Sequence, residues 1–385
     1  MPKVSVVVPI FNGTSYLPAF FDSLDSALPE GSELILVDDA STERVWETVP
    51  DFSSIDRLVQ LQNERNVGYA TTVNRGFAIA AEDVVVVLNT DLILQPDCIR
   101  AMVELLRYED QVGIVGSKLV YPTTGLVQHV GIAFGANTRT HVYRHLPASH
   151  PLCERTREVQ VSTGATTAMT RKVLADLGPL NESYFNCNED IDHCLRAREA
   201  GLRNFVCGAS VAHHWESKSG PSRFARQKSS EAMFWSRWGN SLDVDLGRFV
   251  DEALDHLLDE HPHLEEVPFQ VLDLSRGPDQ AILVERLAAR WPGIDSRLLH
   301  FRQMNRRSDR LWLQLLLPHS MQVEAIPFVY VVDSHRELEE NELWFESRHR
   351  TVGDEFVLDL SGAALHTSEL PRLGAANPRA TQVAQ

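Results

Sequence analysis

Three short segments of this 385-residue chain place acid, amide and hydroxyl side chains directly after runs of apolar residues. They are Pro9-Ile10-Phe11-Asn12-Gly13, Asp38-Asp39-Ala40-Ser41-Thr42 and Asn89-Thr90-Asp91. Carboxylates gathered in this way can hold a hard divalent cation, or the base and ribose of a nucleotide. One such segment alone is ordinary turn and helix-cap chemistry, since Asp, Asn and Ser favour those positions anyway. Three in succession favour a ligand site.

Two further groups carry reactive side chains. Asn188-Glu189-Asp190-Ile191-Asp192 sets three carboxylates at the start of a helical pattern whose Ile191, Cys194 and Leu195 face inward. Acids there complement the helix dipole, and the same turn can present Glu189 or Asp190 to a ligand as a general base. Ala212-His213-His214-Trp215 ends a strand pattern. Neighbouring strand residues point to opposite faces, so at most one of the two histidines readily faces a cleft. Cys187, His193, Cys194, Cys207, His213 and His214 contain no Cys-x-x-Cys pair, which argues against structural zinc. Val271–Pro278 follows a strand and precedes a helix, but its single glycine lacks the spacing of a phosphate loop.

The elements that must position these groups alternate through the first 120 residues. Val4–Ile10 is a β-branched run suited to a strand covered on both faces. Ser15 is placed to cap a helix carrying Leu17, Phe20, Phe21 and Leu24. Strands follow at Glu33–Val37, Leu58–Leu61 and Val84–Leu88, with helices at Gly68–Ala81 and Pro96–Arg107. This alternation implies right-handed crossovers and a mostly parallel sheet, with the three segments on one edge. Shorter runs occupy Val112–Val115, Leu126–Phe134 and Val159–Val161, then helices Arg171–Leu177 and Glu189–Ala200 and a strand at Asn204–Ala212. Residues 217–230 are polar and basic and read as a loop followed by a helix. A second composition begins near Ser241, with an amphipathic acidic helix Val244–His261, strands Phe269–Leu274, Leu311–Leu317 and Phe328–Val332, and a helix at Gln280–Arg290. The tail after Leu370 is expected to fray.

Composition bounds the function. The net charge of −17 argues against a chain-wide affinity for nucleic acid, which needs a cationic surface. No apolar window approaches the length of a membrane span, and the N-terminus lacks the pattern of a signal peptide. Five cysteines without a secretion signal suit a reducing compartment, so the expected location is the cytoplasm.

Taken in order, the segments resemble the inverting nucleotide-sugar glycosyltransferases of family 2, with the GT-A fold. The resemblance is carried by Val4–Asn12, Leu36–Thr42, Asn66-Val67-Gly68-Tyr69-Ala70 with Asn74-Arg75-Gly76, and Leu88–Asp91. It continues in Gly164-Ala165 with Met169-Thr170-Arg171, in Asn188–Arg196 and in His213-His214. It covers about residues 1–240 and is strongest to the bacterial rhamnosyltransferase-like branch. Asn89 stands where the family often has the first Asp of a metal motif, and Ala40 replaces a usual glycine, a small change. Phe234 stands where processive synthases carry the glutamine of their Gln-x-x-Arg-Trp signature.

The resemblance implies an α/β GT-A domain over 1–240, and the composition beyond it adds an α/β accessory domain over 241–370 and a tail at 371–385. It implies transfer, with inversion, from a nucleotide-diphosphate sugar to a hydroxyl of a glycan or lipid-linked glycan, in bacterial surface polysaccharide synthesis. dTDP-rhamnose is the donor that this branch suggests, and peripheral contact with the inner membrane face is compatible with such an acceptor. Asp190, with Glu189, is the implied catalytic pair. Pro9, Phe11, Asn12, Asp38, Asp39, Asn66, Gly68, Asn74, Asn89, Asp91 and Gly164 are the implied donor contacts, and Asp91 and His213 the ligands of Mg²⁺ or Mn²⁺. The alternative is an inactive sugar-nucleotide-binding or scaffold protein of a polysaccharide assembly complex, which a transfer assay would separate.

Overall fold

The computed structural model describes residues 2–135, 138–184, 186–215 and 227–260, with short backbone stretches beyond them. The turn after Asp273, most of the Gln280–Arg290 helix, the Leu311–Leu317 strand, residues 217–226 and the tail after Leu370 lie outside the described residues. The chain divides into two compact units, Met1–Ile132 with Pro147–Asp243, and Ala133–Leu146 with Val244–Gln385. The excursion at Ala133–Leu146 places in the second unit a segment that the linear reading assigns to the first.

The first unit opens β1 (Val4–Ile10), α1 (Leu17–Ala27), β2 (Ser32–Asp38), β3 (Ile55–Gln62), α2 (Tyr69–Phe77), β4 (Val84–Leu88) and β5 (Leu92–Leu94). It continues with α3 (Cys98–Tyr108), β6 (Val112–Val120) and β7 (Val127–His129). The chain then crosses a ribbon of β8 (Ile132–Phe134) and β9 (Arg139–His141), which falls almost wholly in the second unit. The first unit resumes with α4 (Pro151–Glu154), β10 (Arg157–Val159), β11 (Thr166–Thr170) and α5 (Arg171–Leu177). The unit closes on α6 (Glu189–Glu199), β12 (Arg203–His214) and α7 (Gln227–Trp238). Its ten-stranded sheet runs β10-β12-β6-β11-β4-β1-β2-β3, with β5 and β7 paired off this path.

Apolar, β-branched β4 is buried along its whole length and β1 at every residue but Pro9, as strands covered on both faces should be. Helix α1 buries Leu17, Phe20, Phe21 and Leu24 at helical spacing. Its N-cap is Tyr16 rather than Ser15, with a proline in the first turn doing the work expected of a cap. Helix α2 packs on β1 so closely that a Cβ at Gly76 would lie 2.3 Å from Val7 Cγ1, which leaves glycine the only residue that fits there.

Strands β1, β2, β3 and β4 are mutually parallel where they pair, as expected. Strand β11 departs from that pattern, running antiparallel between β4 and β6. Thr166 at its start stands opposite Leu88 at the end of β4. The reversal therefore brings the Thr163–Ala165 turn to the same edge as the carboxyl ends of β1, β2 and β4. Strand β12 runs parallel to β6 and pairs its last residues with β5, so His214 stands opposite Leu92.

In the second unit, α8 (Leu246–Glu260) buries Leu246, Phe249, Val250 and Leu254. Tyr143 packs edge-on against Phe249 at 6.2 Å and donates its hydroxyl to the Phe249 carbonyl at 3.0 Å. The remaining backbone forms a five-stranded sheet of β13 (Phe269–Asp273), β14 (Ile294–His300), β15 (Phe328–Val332), β16 (Phe356–Asp359) and β17 (Ala364–Thr367), ordered β14-β13-β15-β16-β17. Among the described residues no helix is long and apolar enough to cross a membrane.

Candidate active site

An open cleft of about 970 Å³ lies on the edge where the carboxyl ends of β1, β2 and β4 meet the start of β11. Pro9, Phe11, Asp39, Asn66, Asn89, Asp91, Gly164, Glu189 and Asp190 all line it. Residues far apart in sequence thus share one wall because parallel strands deliver their exits to one edge.

Asp39 is held by three hydrogen bonds. It is buried, and its two oxygens accept from Asn63 Nδ2 at 2.8 Å, Val67 N at 2.8 Å and Gly68 N at 3.0 Å. Gly68 contributes that N–H from a left-handed turn rather than by lining the cleft.

Three other expected contacts, Asn12, Asp38 and Asn74, hydrogen-bond within the scaffold and do not line the cleft. Asn12 Oδ1 accepts from Thr42 N at 2.8 Å and Asn12 N donates to Ser41 Oγ at 2.7 Å, so it ties the first loop to the second. Asp38 accepts from Ser41 N and Gln62 Nε2, both at 2.9 Å. Asn74 bridges to the backbone of Leu180, donating at 2.9 Å and accepting at 2.8 Å. Each side chain takes at least one backbone partner, a common duty of Asn and Asp in loops.

The two histidines at the end of β12 lie in different surroundings. His213 faces away from the cleft, 3.2 Å from Gln95 Nε2, and burial lowers its pKa. His214 is the histidine that lines the cleft, with Nε2 3.2 Å from Asp91 Oδ1 and Nδ1 2.6 Å from Gln128 Oε1. Strand alternation allows one histidine inward, and the pairing of β12 with β5 selects the second. Beside them, Asn89 Oδ1 is buried without a hydrogen-bond partner. Among the described residues no group of three or more His, Cys, Asp or Glu forms a metal cluster.

Asp190 stands in the first turn of α6, preceded by Asn188 in a left-handed conformation at φ 76°. Its Oδ2 accepts from Gly164 N at 2.6 Å and its Oδ1 from Ile191 N at 2.8 Å. Asp192 points the other way and is fully buried, accepting from Trp238 Nε1 at 3.0 Å and pairing with Arg196 and Arg237. The Arg237-Trp238 pair therefore braces the helix from behind. His193 is buried beside a small apolar cavity that Asp190 also lines, and burial pushes its imidazole down to about 3.

Tyr16, Thr72, Thr163 and Asn186, which the sequence reading does not name, also line the cleft, as do Tyr69 and His214 from the segments it quotes. Tyr69 sits inside the Asn66–Ala70 segment, where an aromatic beside a glycine turn is the available signal. Burial, with Asp91 and Glu43 nearby, raises the Tyr16 phenol above its ordinary value.

Residues 5–178 match the profile of glycosyl transferase family 2. The chain is 30% identical over 224 residues to the O-antigen biosynthesis protein RfbC of Myxococcus xanthus, covering 55% of this chain and 17% of that protein. It is 34% identical over 119 residues to a dolichol-phosphate mannosyltransferase of Pyrococcus furiosus, covering 31% and 34%. The matched part thus spans about a third or less of these relatives. Among solved structures, the mannosyltransferase PcManGT of Pyrobaculum calidifontis, determined with GDP-Man and Mn²⁺, aligns at 17% identity and a TM-score of 0.45 over 76% of this chain and 87% of that one. Residues 5–178 are thus similar in sequence to glycosyl transferase family 2, and the parallel-strand edge of that segment carries the cleft.

Proposed function

We propose that this chain is an inverting glycosyltransferase, moving a sugar from a nucleotide-diphosphate sugar to a hydroxyl of a glycan or lipid-linked glycan. The observation that carries the reading is the convergence of Asp39, Asn89, Asp91, His214 and Asp190 on one cleft. Asp39 grips the nucleotide with Asn66 and the first loop. Asp190 takes the proton of the acceptor hydroxyl as that oxygen bonds to the anomeric carbon, and the bond from that carbon to the diphosphate breaks on the opposite face. Glu189, beside it in the wall, orients the acceptor.

A divalent cation fits this donor set. The ionised side chains among the described cleft residues are the carboxylates of Asp39, Asp91, Glu189 and Asp190, so a diphosphate docked there needs positive charge. The unpartnered Asn89 Oδ1, with Asp91 and His214, supplies hard oxygen and imidazole donors for Mg²⁺ or Mn²⁺. Such an ion would offset charge growing on the departing diphosphate. Asn89 brings no charge of its own, so metal affinity stays weak until donor binds.

dTDP-rhamnose is the first donor to try, on the resemblance to the rhamnosyltransferase-like branch, and the name of the Myxococcus relative supports a surface-polysaccharide setting. The second unit serves the acceptor or a partner rather than the chemistry. Calorimetry and product mass spectrometry across UDP-, GDP- and dTDP-sugars test the proposal. Binding of at least one and transfer with inverted anomeric configuration are expected, and no binding of any would overturn it.

A further inference from the structure

Tyr69, Gly164 and Asp190 line both the cleft and the small apolar cavity behind it, so they form the wall between the two. A Cβ at Gly164 would lie 2.8 Å from Asp190 Cβ, so the position facing the carboxylate admits no side chain. That requirement has a cost, since glycine is the backbone with the most freedom to lose. Two hydrogen bonds restrain it. Gly164 N donates to Asp190 Oδ2 at 2.6 Å, and the Tyr69 hydroxyl donates to the Gly164 carbonyl at 3.0 Å. Tyr69 is itself anchored, its N–H donating to Asn186 Oδ1 at 2.9 Å. The two residues before it donate their N–H groups to the carboxylate of Asp39, at 2.8 and 3.0 Å.

We propose that Tyr69 is a positioning residue, whose hydroxyl clamps Gly164 and thereby fixes the Asp190 carboxylate relative to the loop that holds Asp39. The inference rests on reading Asp190 as the base and Asp39 as a nucleotide contact. The two functions then sit on one hydrogen-bonded frame, running from Asp39 through the turn to Tyr69, Gly164 and Asp190. A base works only within hydrogen-bond reach of its proton, so a looser Gly164 costs turnover and leaves the nucleotide side intact.

The test uses the full chain with Tyr69→Phe, which keeps the ring and removes the hydroxyl. UDP and dTDP serve as binding probes, and turnover is read as nucleoside diphosphate released from UDP- and dTDP-sugars with acceptor. Expected are nucleotide affinity within about twofold of wild type, an unchanged melting transition and kcat lower by about five- to tenfold, the scale of one hydrogen bond. In an Asp190→Asn background the same substitution should change kcat no further, because its effect runs through that carboxylate. Wild-type kcat in Tyr69→Phe, equal losses in both backgrounds, or a loss accompanied by weaker nucleotide binding or a lowered melting transition would each overturn the proposal. If the wild-type chain neither binds nor turns over any of these nucleotides, the reading of the cleft falls and takes this inference with it. If wild type turns over and only the Tyr69 result is flat, the reading of the cleft stands.

Discussion

His214 Nε2 stands 3.2 Å from Asp91 Oδ1, while Gln128 Oε1 accepts the proton of His214 Nδ1 at 2.6 Å. An imidazole nitrogen this close to a carboxylate oxygen can share a metal ion with it. His214→Ala is therefore expected to lower kcat/KM by about 10- to 100-fold, the usual cost of disturbing a metal shell. His213→Ala should stay within about twofold of wild type, since its ring turns to Gln95. Steady-state kinetics of the two variants at several Mn²⁺ concentrations check the assignment, and the reverse ranking would restore His213.

Removal of divalent ions should abolish turnover. The cleft offers Asp91, His214 and the Asn89 carbonyl, too few protein donors to hold an ion tightly without the diphosphate. Dialysis against EDTA and titration back with Mg²⁺ or Mn²⁺ is the measurement, and full activity in excess EDTA contradicts the metal reading.

Asp190→Asn keeps the shape of the side chain and removes its basicity. General-base catalysis is worth about 10²–10⁴-fold, so kcat should fall by that order with nucleotide affinity nearly unchanged. Glu189→Gln also lies in the cleft wall, so its loss alone does not identify the base. Wild-type turnover in Asp190→Asn, measured beside calorimetric binding, would shift the role to Glu189.

Ala40 occupies a left-handed conformation at φ 59°, so the change from glycine is less slight than its size suggests. A Cβ in that region costs about 1–2 kcal/mol, and glycine's extra chain entropy returns about 0.5–1. Ala40→Gly should accordingly stabilise the chain by about 0.5–1 kcal/mol, read by urea denaturation.

Buried His193 titrates near 3 when folded and near 6.5 when free. Below pH 6.5 the unfolded chain takes up this proton and the folded chain does not, so stability falls as pH drops from 6.5 towards 3. The slope from this one residue approaches about 1.4 kcal/mol per pH unit. His193→Gln should flatten that part of the profile, and urea melts at pH 7, 5 and 4 in both chains would show it. An unchanged slope would mean that the imidazole is solvated in the fold.

The sequence by itself determined the strand-forming runs, their order and the loop chemistry at their ends. β-branched stretches such as Val84–Leu88 leave little choice of conformation, and parallel strands send their carboxyl-end loops to one edge. That logic sufficed to gather Asp39, Asn89 and Asp91. Tertiary structure decided what local pattern cannot encode. Alternation says that His213 and His214 face opposite ways, but the phase comes from β12 pairing with β5 and from Gln128, 86 residues away. The same holds for Asn12, Asp38 and Asn74, whose side chains close hydrogen bonds within the scaffold. A polar side chain at a strand end serves ligand or loop equally well by composition, and only the position of its partner separates the two. The antiparallel entry of β11 is the clearest case, because it alone sets Gly164 against Asp190. Periodicity fixes which faces a strand buries, whereas its direction and neighbours come from long-range pairing that no single segment contains.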